Sequence, residues 1–244
     1  GDGIADMVIG AYQADPVVGG VERTDAGIVY VVFGRNVPAG YASFSDNFDL
    51  ATFSSPSPLG FRILGAAAGD YCGFSVSAAG DVNGDGIGDI IIGAYNAAPP
   101  PIGGSVARPA AGISYVVFGS YSNFGDYMFQ IDLLSFTGMS PLGFRILGEA
   151  NSDQSGYAVS GAGDINNDGV DDILIGAQGY DPVVSGATRA GAGAVYVIFG
   201  QKVPGNLIMD IDLAFLLPAE GYRIYGATAG DWLGCAISAA GDVN

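Results

Sequence analysis

The sequence predicts an all-β fold built from a repeat of about 80 residues, with four short strands in each copy. Glycine makes up 41 of the 244 residues, well above the roughly 7% that is usual. Short runs rich in Val, Ile, Tyr and Phe lie between these glycines, and no window shows a helical period. Four phrases also recur in the same order along the chain. Together these features predict strands joined by tight turns.

The recurring phrases define the repeat. GDVNGDGIGDIIIGAY at 80–95 returns as GDINNDGVDDILIGAQ at 163–178, and the same phrase without its first four residues opens the chain at 1–12. The other three phrases, each in three copies, begin at Ala26, Ala111 and Ala192, at Gly60, Gly143 and Gly221, and at Gly73, Gly156 and Gly234. The whole chain is therefore occupied by three copies of one unit.

Four strands in a unit of this length are typical of a β-propeller blade. A parallel β-helix is the alternative, but its coils are much shorter. The predicted blades are a partial one at 1–72, completed by a strand of the 234–244 type, a second at 73–155 and a third at 156–233. Each blade carries an acidic loop between its first two strands.

The two ends of the chain are in register with each other. The sequence ends GDVN and begins GDGIAD, and joined end to end these read as an intact copy of the segment at 80–89. Two interpretations follow. The chain is a set of three blades from a longer tandem array, or it is a protomer whose tail completes the blade of a neighbour.

The acidic loop follows the pattern D-x-N-x-D-G-x-x-D, with oxygen ligands at positions 1, 3, 5 and 9 and a backbone carbonyl at position 7. Three carboxylates within nine residues repel one another unless a cation lies among them. The predicted ligands are Asp81, Asn83, Asp85, Asp89 and the Ile87 carbonyl, then Asp164, Asn166, Asp168, Asp172 and the Val170 carbonyl, and, across the seam, Asp242, Asn244, Asp2, Asp6 and the Ile4 carbonyl.

The all-oxygen donor set favours Ca²⁺, which accepts 6–8 oxygen ligands, over Mg²⁺ with its strict octahedron. An EF-hand begins in the same way, but it needs a bidentate Glu at position 12 and a helix on each side. Position 12 here is Ile92, Ile175 or Ile9, each within a strand-like run. The sequence therefore predicts strand–loop–strand calcium sites, while an ordinary Asp/Asn/Gly hairpin turn is the alternative.

Each unit has a strand with a glycine–aromatic start, then this loop, then a strand ending IGAY or IGAQ. This order resembles the FG-GAP repeat of integrin α-subunit propellers and bacterial surface proteins. The resemblance implies a calcium ion in each loop, an extracellular or cell-surface location and a role in adhesion or matrix contacts. Tyr12, Tyr95 and Gln178 depart from the pattern by replacing the usual proline, and Cys235 replaces an aromatic residue.

Charge and composition exclude several classes of function. Eight basic against 25 acidic residues give a net charge of −17, which disfavours nucleic acid and anionic membranes as partners. No apolar run reaches the roughly 20 residues that span a bilayer. The chain has no histidine, so Ser-His-Asp and Cys-His catalysis is excluded. A propeller hydrolase using a carboxylate pair is disfavoured because every clustered carboxylate is assigned to a metal loop.

These observations favour a non-enzymatic, calcium-stabilised surface module for adhesion or matrix assembly. The alternative is a structural protomer that joins head to tail through the split calcium site into a filament or ring. The expected partners are other copies of the chain, adjoining blades, and a surface protein or glycan. The two cysteines, Cys72 and Cys235, occupy different repeat positions, so both are expected to be free and mostly buried.

Two sets of recurring arginines need an explanation. Arg62, Arg145 and Arg223 are each followed eight residues later by an aspartate, which predicts a repeated ion pair or turn cap between blades. The other set lies in long Gly/Pro-rich loops and is predicted to contact a partner or solvent. Its members are Arg23, Arg108 and Arg189.

Overall fold

Short β-strands make up nearly all the regular structure of the computed structural model, which describes residues 3–34, 49–54, 57–101, 106–120, 130–203, 205 and 207–244. The strands are β1 (Met7–Ala11), β2 (Val17–Val18), β3 (Val21–Glu22), β4 (Ile28–Val32), β5 (Gly60–Leu64), β6 (Ser75–Gly80), β7 (Asp89–Ala94), β8 (Ile113–Val117), β9 (Gln130–Asp132), β10 (Gly143–Leu147), β11 (Ser155–Gly163), β12 (Asp172–Ala177), β13 (Val183–Val184), β14 (Ala187–Thr188), β15 (Ala194–Ile198), β16 (Ile211–Asp212) and β17 (Gly221–Tyr225). Short 3₁₀ turns lie at Leu50–Ser54, Leu133–Ser135 and Leu213–Phe215. The described residues include no α-helix, and the all-β prediction is confirmed.

The strands form three main sheets. The first sheet is β1-β4-β5, the second is β6-β7-β8-β10 and the third is β11-β12-β15-β17, all with antiparallel neighbours. β9 adds in parallel to the outer strand β5, and β16 adds in parallel to β10. The pairs β2–β3 and β13–β14 are small hairpins within the long loops. The second and third sheets therefore contain the predicted four strands each.

Equivalent strands keep the same register in all three sheets. In each sheet a tyrosine on one strand lies opposite an arginine on the neighbouring strand. The pairs are Tyr30–Arg62, Tyr115–Arg145 and Tyr196–Arg223. A one-residue slip would exchange the two faces of a strand. The shared register shows that the repeat in the sequence is also a repeat in space.

The core lies between the sheets. One buried cluster joins the first and second sheets and includes Ile63 and Ile92. The other joins the second and third sheets and includes Ile146 and Ile175. Because the central sheet is covered on both faces, its middle strand β8 is buried throughout instead of alternating. The five residues of β8 are all buried.

Glycines allow the sheets to approach each other closely near the inner strands. A Cβ on Gly93 would lie 2.0 Å from the carbonyl oxygen of Gly156, and one on Gly176 would lie 2.0 Å from that of Gly234. Neither position has room for a side chain, which explains the glycine in the recurring IGA phrase. These contacts hold the hairpins β6–β7 and β11–β12, and hence their loops, in fixed positions.

An aromatic cluster lies at the end of β6 away from its acidic loop. Phe74 contacts Tyr12, Tyr95 and Tyr157, with ring centroids 5.3, 4.7 and 4.8 Å away. Tyr71 stacks on Tyr95 at 5.7 Å. Both tyrosines that replace the usual proline, Tyr12 and Tyr95, therefore have a structural role, because they pack in an aromatic cluster between neighbouring sheets.

Candidate metal centres

The second sheet carries one complete acidic loop between β6 and β7. Asp81 accepts backbone N–H bonds from Asp85 (Oδ1, 3.0 Å) and Gly86 (Oδ2, 2.8 Å). Asp85 in turn accepts from the N–H of Ile87 at 2.9 Å, and the Asn83 amide oxygen accepts from the N–H of Asp85 at 3.0 Å. These bonds curl the backbone around the oxygen-bearing side chains.

The third sheet carries a loop with the same bonds. Asp164 accepts from the N–H groups of Asp168 (3.0 Å) and Gly169 (2.9 Å). Asp168 accepts from Val170 at 3.0 Å, and Asn166 accepts from Asp168 at 2.9 Å. Each distance agrees with its counterpart in the first loop to within about 0.1 Å. The identical pattern of ligands in the sequence therefore produces an identical local conformation.

Glycines with positive φ shape both loops. A β-bulge at Gly80 (φ +82°) and another at Gly163 (φ +70°) turn the chain immediately before the first aspartate of each loop. Gly86 (φ +88°) and Gly169 (φ +90°) occupy position 6, where the loop reverses. Residues with a Cβ rarely adopt this conformation, so the sharp turn predicted at position 6 requires glycine.

The aspartate at position 9 anchors each loop to the sheet. Asp89 accepts from the N–H of Val82 (3.0 Å) and from that of Gly119 (2.8 Å). Asp172 makes the equivalent bonds at 2.8 and 2.9 Å, and Asp6 makes the second of them at 2.8 Å. Asp89 and Asp172 are buried. Asp89 and Asp172 each lie at the start of the strand that follows the loop. Each therefore joins that strand both to the second residue of its loop and to the segment just after the third strand of its sheet.

Burial and crowding disfavour the charged forms of these anchors. Burial, with smaller contributions from the nearby carboxylates of Asp85 and Asp81, raises the pKa of Asp89 to about 7. Burial also raises the pKa of Asp172, with a contribution from Asp168. A cation among the carboxylates would reverse this effect, because it favours their ionised forms.

The donor set matches a hard cation. Every predicted ligand offers oxygen, and neither Asp81 nor Asp164 forms an ion pair with a described Arg or Lys side chain. Among the described residues, however, no three His, Cys, Asp or Glu side chains form a group that could enclose a metal. The carboxylates are turned towards backbone N–H groups instead. The loops therefore fit calcium in ligand type and spacing, and the coordination itself stays a prediction.

The third predicted site is divided between the two ends of the chain. Asp242 accepts from the N–H of Asn244 at 3.3 Å, and both residues are exposed. Residues 235–244 form no strand, and β1 pairs with β4 alone among the described strands. Asp2 lies outside the described residues, while Ile4 and Asp6 precede β1. No strand pairing of the described residues joins the tail to the segment before β1, and the shared site stays a prediction.

A link between the two complete loops was not predicted. Asp171 accepts from the N–H of Asp81 at 2.8 Å and donates its own N–H to the Asp81 carbonyl at 3.1 Å. It occupies loop position 8, where the other loop has Gly88. Because this aspartate occurs in one copy only, the repeat gave no signal for it.

The loop arginines bind segments that come from the following repeat. Arg23 forms a two-pronged ion pair with Asp132 (2.7 and 2.8 Å), and Arg108 forms one with Asp212 (2.7 and 2.9 Å). The prediction that these two arginines face a partner or solvent is therefore wrong. The recurrence of Asp-Leu after a hydrophobic residue at 131–133 and 211–213 was the available signal.

Arg62 and Arg145 also contact the following repeat, while the aspartates that follow them cap turns. Arg62 donates to Gln130 at 3.0 Å, and Arg145 pairs with Asp210 at 2.6 Å. Asp70 accepts from the N–H of Ala67 at 3.1 Å. Of the two predicted roles, the aspartate is thus a turn cap, and the arginine stabilises the contact between repeats through a different residue.

The cysteines are free, as predicted, but their surroundings differ. Cys72 is buried between the first and second sheets, whereas Cys235 is exposed. The expectation of burial is therefore confirmed for Cys72 and wrong for Cys235. Cys235 lies in the tail, where no strand of the described residues covers it.

The described residues form three sheets in series. Two of these sheets have four antiparallel strands each and an acidic loop between the first two strands. This arrangement is that of a repeat protein of the β-propeller type. The sequence matches the FG-GAP repeat family at residues 73–117 and 155–198. These stretches run from β6 to β8 and from β11 to β15, so each includes one complete acidic loop. The chain therefore contains two FG-GAP repeats.

Two curated relatives are integrin alpha chains. Integrin alpha-5 of Xenopus laevis is 31% identical over 172 residues, which cover 70% of this chain and 13% of that protein. Integrin alpha pat-2 of Caenorhabditis elegans is 33% identical over 141 residues, which cover 55% of this chain and 10% of that protein. The chain thus spans about an eighth of these relatives or less. None of the described residues forms a helix long and apolar enough to cross a membrane.

Proposed function

We propose that this protein is a non-enzymatic, calcium-stabilised module of the extracellular surface that serves adhesion or surface assembly. The observation that carries the proposal is the pair of identical acidic loops, each held between two strands of a four-stranded FG-GAP sheet. The similarity to integrin alpha chains supports an extracellular setting and a role in adhesion. The proposed blades are those of the repeat, at 1–72, 73–155 and 156–233.

In each complete loop, the proposed calcium ligands are the side chains at positions 1, 3, 5 and 9 and the carbonyl at position 7. A bound calcium ion would neutralise the three carboxylates and hold the two strands of the hairpin together. Extracellular calcium modules bind with dissociation constants of about 10⁻⁴–10⁻³ M. The residues are Asp81, Asn83, Asp85, Ile87 and Asp89, and Asp164, Asn166, Asp168, Val170 and Asp172.

Thermal unfolding with and without a chelator tests this proposal. Calcium at a hundred times its dissociation constant stabilises the folded chain by about 2.7 kcal/mol for each site. A change of 1 kcal/mol shifts the melting temperature of a chain of this size by about 2–4 °C. Chelation should therefore lower the melting temperature by about 10 °C or more, and an unchanged melting curve would contradict the proposal.

Single substitutions locate the sites. Asp85→Ala should remove about half of the calcium-dependent shift and leave the other loop intact, and Asp168→Ala should do the same. Glu22→Ala is the matched control, since Glu22 is an exposed carboxylate on β3, outside the loops. If the control reduced the shift as much as the loop variants, the stabilisation would come from general screening of the negative charge.

A second candidate function is assembly of copies head to tail through the divided loop. The supporting observation concerns the strand that follows each acidic loop. β7 and β12 each pair with the strand before their loop, whereas β1, which follows the divided loop, has no such partner among the described strands. An unpaired edge is a template for another strand. In this proposal Asp242 and Asn244 of one copy share a calcium ion with Asp2, Asp6 and the Ile4 carbonyl of another.

A further inference from the structure

The two complete acidic loops, at 81–89 and 164–172, have the same internal bonds but different surroundings. Val82, at position 2 of the loop 81–89, is 1% exposed, and its counterpart Ile165 is 48% exposed. Asn83, at position 3, is buried as well. Because the hydrogen bonds within the two loops agree, the burial of the loop 81–89 must come from another part of the chain.

The third repeat covers the loop 81–89. The Val82 carbonyl accepts from the N–H of Gln201 at 2.9 Å. The stem of Lys202 lies over Gly84, where an added Cβ would be 3.1 Å from the lysine Cγ. Gln201 and Lys202 follow β15, the third strand of the third sheet. One wall of this loop is therefore built from the neighbouring repeat.

Asp171 makes the contact with the first predicted ligand of this loop. Its Oδ2 accepts from the N–H of Asp81 at 2.8 Å, and its own N–H donates to the Asp81 carbonyl at 3.1 Å. A Cβ on Gly80 would lie 2.2 Å from the same Oδ2, so the carboxylate fits against a residue that has no side chain. Asp171 thus holds both backbone polar groups of Asp81.

The position of Asp171 in its own loop makes this contact informative. Asp171 lies in the loop 164–172, between the predicted ligands Val170 and Asp172. Among the described residues, the hydrogen bond of its side chain reaches the loop 81–89 and not its own loop. The third repeat therefore contributes a carboxylate to the surroundings of the loop in the second repeat.

We propose that Asp171 is a positioning residue of the calcium site in the loop 81–89. This inference rests on the proposed calcium sites and adds one residue to them. Both bonds from Asp171 use the backbone of Asp81, while the side-chain oxygens of Asp81 stay directed into the loop. A loop whose backbone is fixed beforehand loses less conformational entropy when it takes up a ligand. Partners that orient metal ligands typically contribute about tenfold or more to metal affinity.

Calcium titration of the 244-residue chain, followed by two-dimensional proton–nitrogen NMR, measures each loop separately. The amide signals of Gly86 and Gly169, at position 6 of their loops, report binding at the two sites. Asp171→Ala should weaken calcium binding about tenfold at Gly86. It should weaken binding by about threefold or less at Gly169, because only a nearby charge is lost there. The remaining amide signals show whether each variant is folded.

Asp171→Asn separates the hydrogen bond from the charge. Its amide oxygen can still accept the N–H bond of Asp81, so calcium binding at Gly86 should stay within about threefold of the wild-type affinity. Glu22→Ala removes a carboxylate from an exposed strand outside the loops and should leave both affinities unchanged. A second measurement needs no calcium: the Asp81 amide should exchange its hydrogen faster in Asp171→Ala than in the wild type or in Asp171→Asn.

Three results would overturn the inference and leave the calcium sites in place. The first is an Asp171→Ala chain that binds calcium at Gly86 as tightly as the wild type. The second is a larger loss at Gly169 than at Gly86, since Asp171 would then serve its own loop. The third is an Asp171→Asn chain as weak as Asp171→Ala, since charge alone would then be responsible. A wild type whose two glycine amides do not respond to millimolar calcium would contradict the proposed sites, and this inference with them.

Discussion

The outer strands of the second and third sheets have almost the same sequence and very different surroundings. β10 reads GFRIL and β17 reads GYRIY. Ile146 on β10 is fully buried, and Ile224, at the same position of β17, is 46% exposed. The third sheet packs against β10, and among the described residues no sheet packs against the matching face of β17. Burial in this chain depends on the neighbouring sheet more than on the repeat itself.

Two polar features follow the same rule. The turn cap Asp153 is 4% exposed, and its counterpart Asp231 is exposed. Arg108 has a carboxylate partner in the next repeat, and Arg189 has none among the described residues. Equivalent residues should therefore contribute differently to the free energy of unfolding in the two sheets. The residue of the third sheet serves as the control for its counterpart in the second sheet.

The largest expected difference concerns the apolar side chains. Ile146→Ala should lower the free energy of unfolding by about 2–5 kcal/mol, because it opens a cavity between two sheets. Ile224→Ala should change it by about 0.5 kcal/mol or less in dilute solution, where the residue is exposed. Urea unfolding of the two variants measures the difference. Equal losses would show that the face of β17 is covered in the monomer.

A smaller difference is expected for the arginines. Arg108→Ala removes a two-pronged bond to Asp212 that is largely shielded from water, and it should cost about 1.5–3 kcal/mol. Arg189→Ala removes only the bond to a carbonyl and should cost less than about 1 kcal/mol. The same urea experiment compares them. A larger loss for Arg189→Ala would mean that its partner lies within the same chain.

The smallest difference concerns pH. Burial raises the pKa of Asp153 to about 7 from its usual 3.8, with further contributions from Glu149 and Asp181 and an opposing one from Arg108. The folded chain then keeps a proton that the unfolded chain loses near pH 4, so the free energy of unfolding falls as pH rises from about 4 to about 7. Asp153→Asn should flatten this decline in thermal melts at saturating calcium.

Asp231→Asn is the matched control for the pH experiment. The pKa of Asp231 is lowered by its hydrogen bonds with Thr228, so this carboxyl is ionised throughout the same range of pH. The control variant should therefore keep the wild-type slope between about pH 5 and pH 7. If Asp231→Asn flattened the slope and Asp153→Asn did not, the burial of Asp153 would not be the cause of the pH dependence.

The local structure could be predicted from the sequence because it depends on contacts close along the chain. The loop from Asp81 to Asp89 forms through hydrogen bonds that span two to seven residues, and the D-x-N-x-D-G-x-x-D pattern encodes them. Strand–loop–strand geometry in place of an EF-hand followed from Ile92 and Ile175, which lie in β7 and β12 as predicted.

The contacts between repeats could not be predicted in the same way. The partner of Arg23 is 109 residues away, and the loop that contains Arg23 resembles a solvated turn when it is considered alone. Asp171 links the two loops through a residue that the repeat does not conserve in position 8. The exposure of Cys235 depends on the missing cover over the tail, which no local pattern records.

Calcium titration by isothermal calorimetry tests the central claim most directly, namely that the acidic loops of the FG-GAP sheets are metal sites. For the dilute monomer the account predicts one calcium ion for each complete loop, hence two for each chain. Asp85→Ala and Asp168→Ala should each reduce the count by one, and Glu22→Ala should leave it unchanged. No measurable binding heat at millimolar calcium, or a count that both loop variants leave unchanged, would contradict the account.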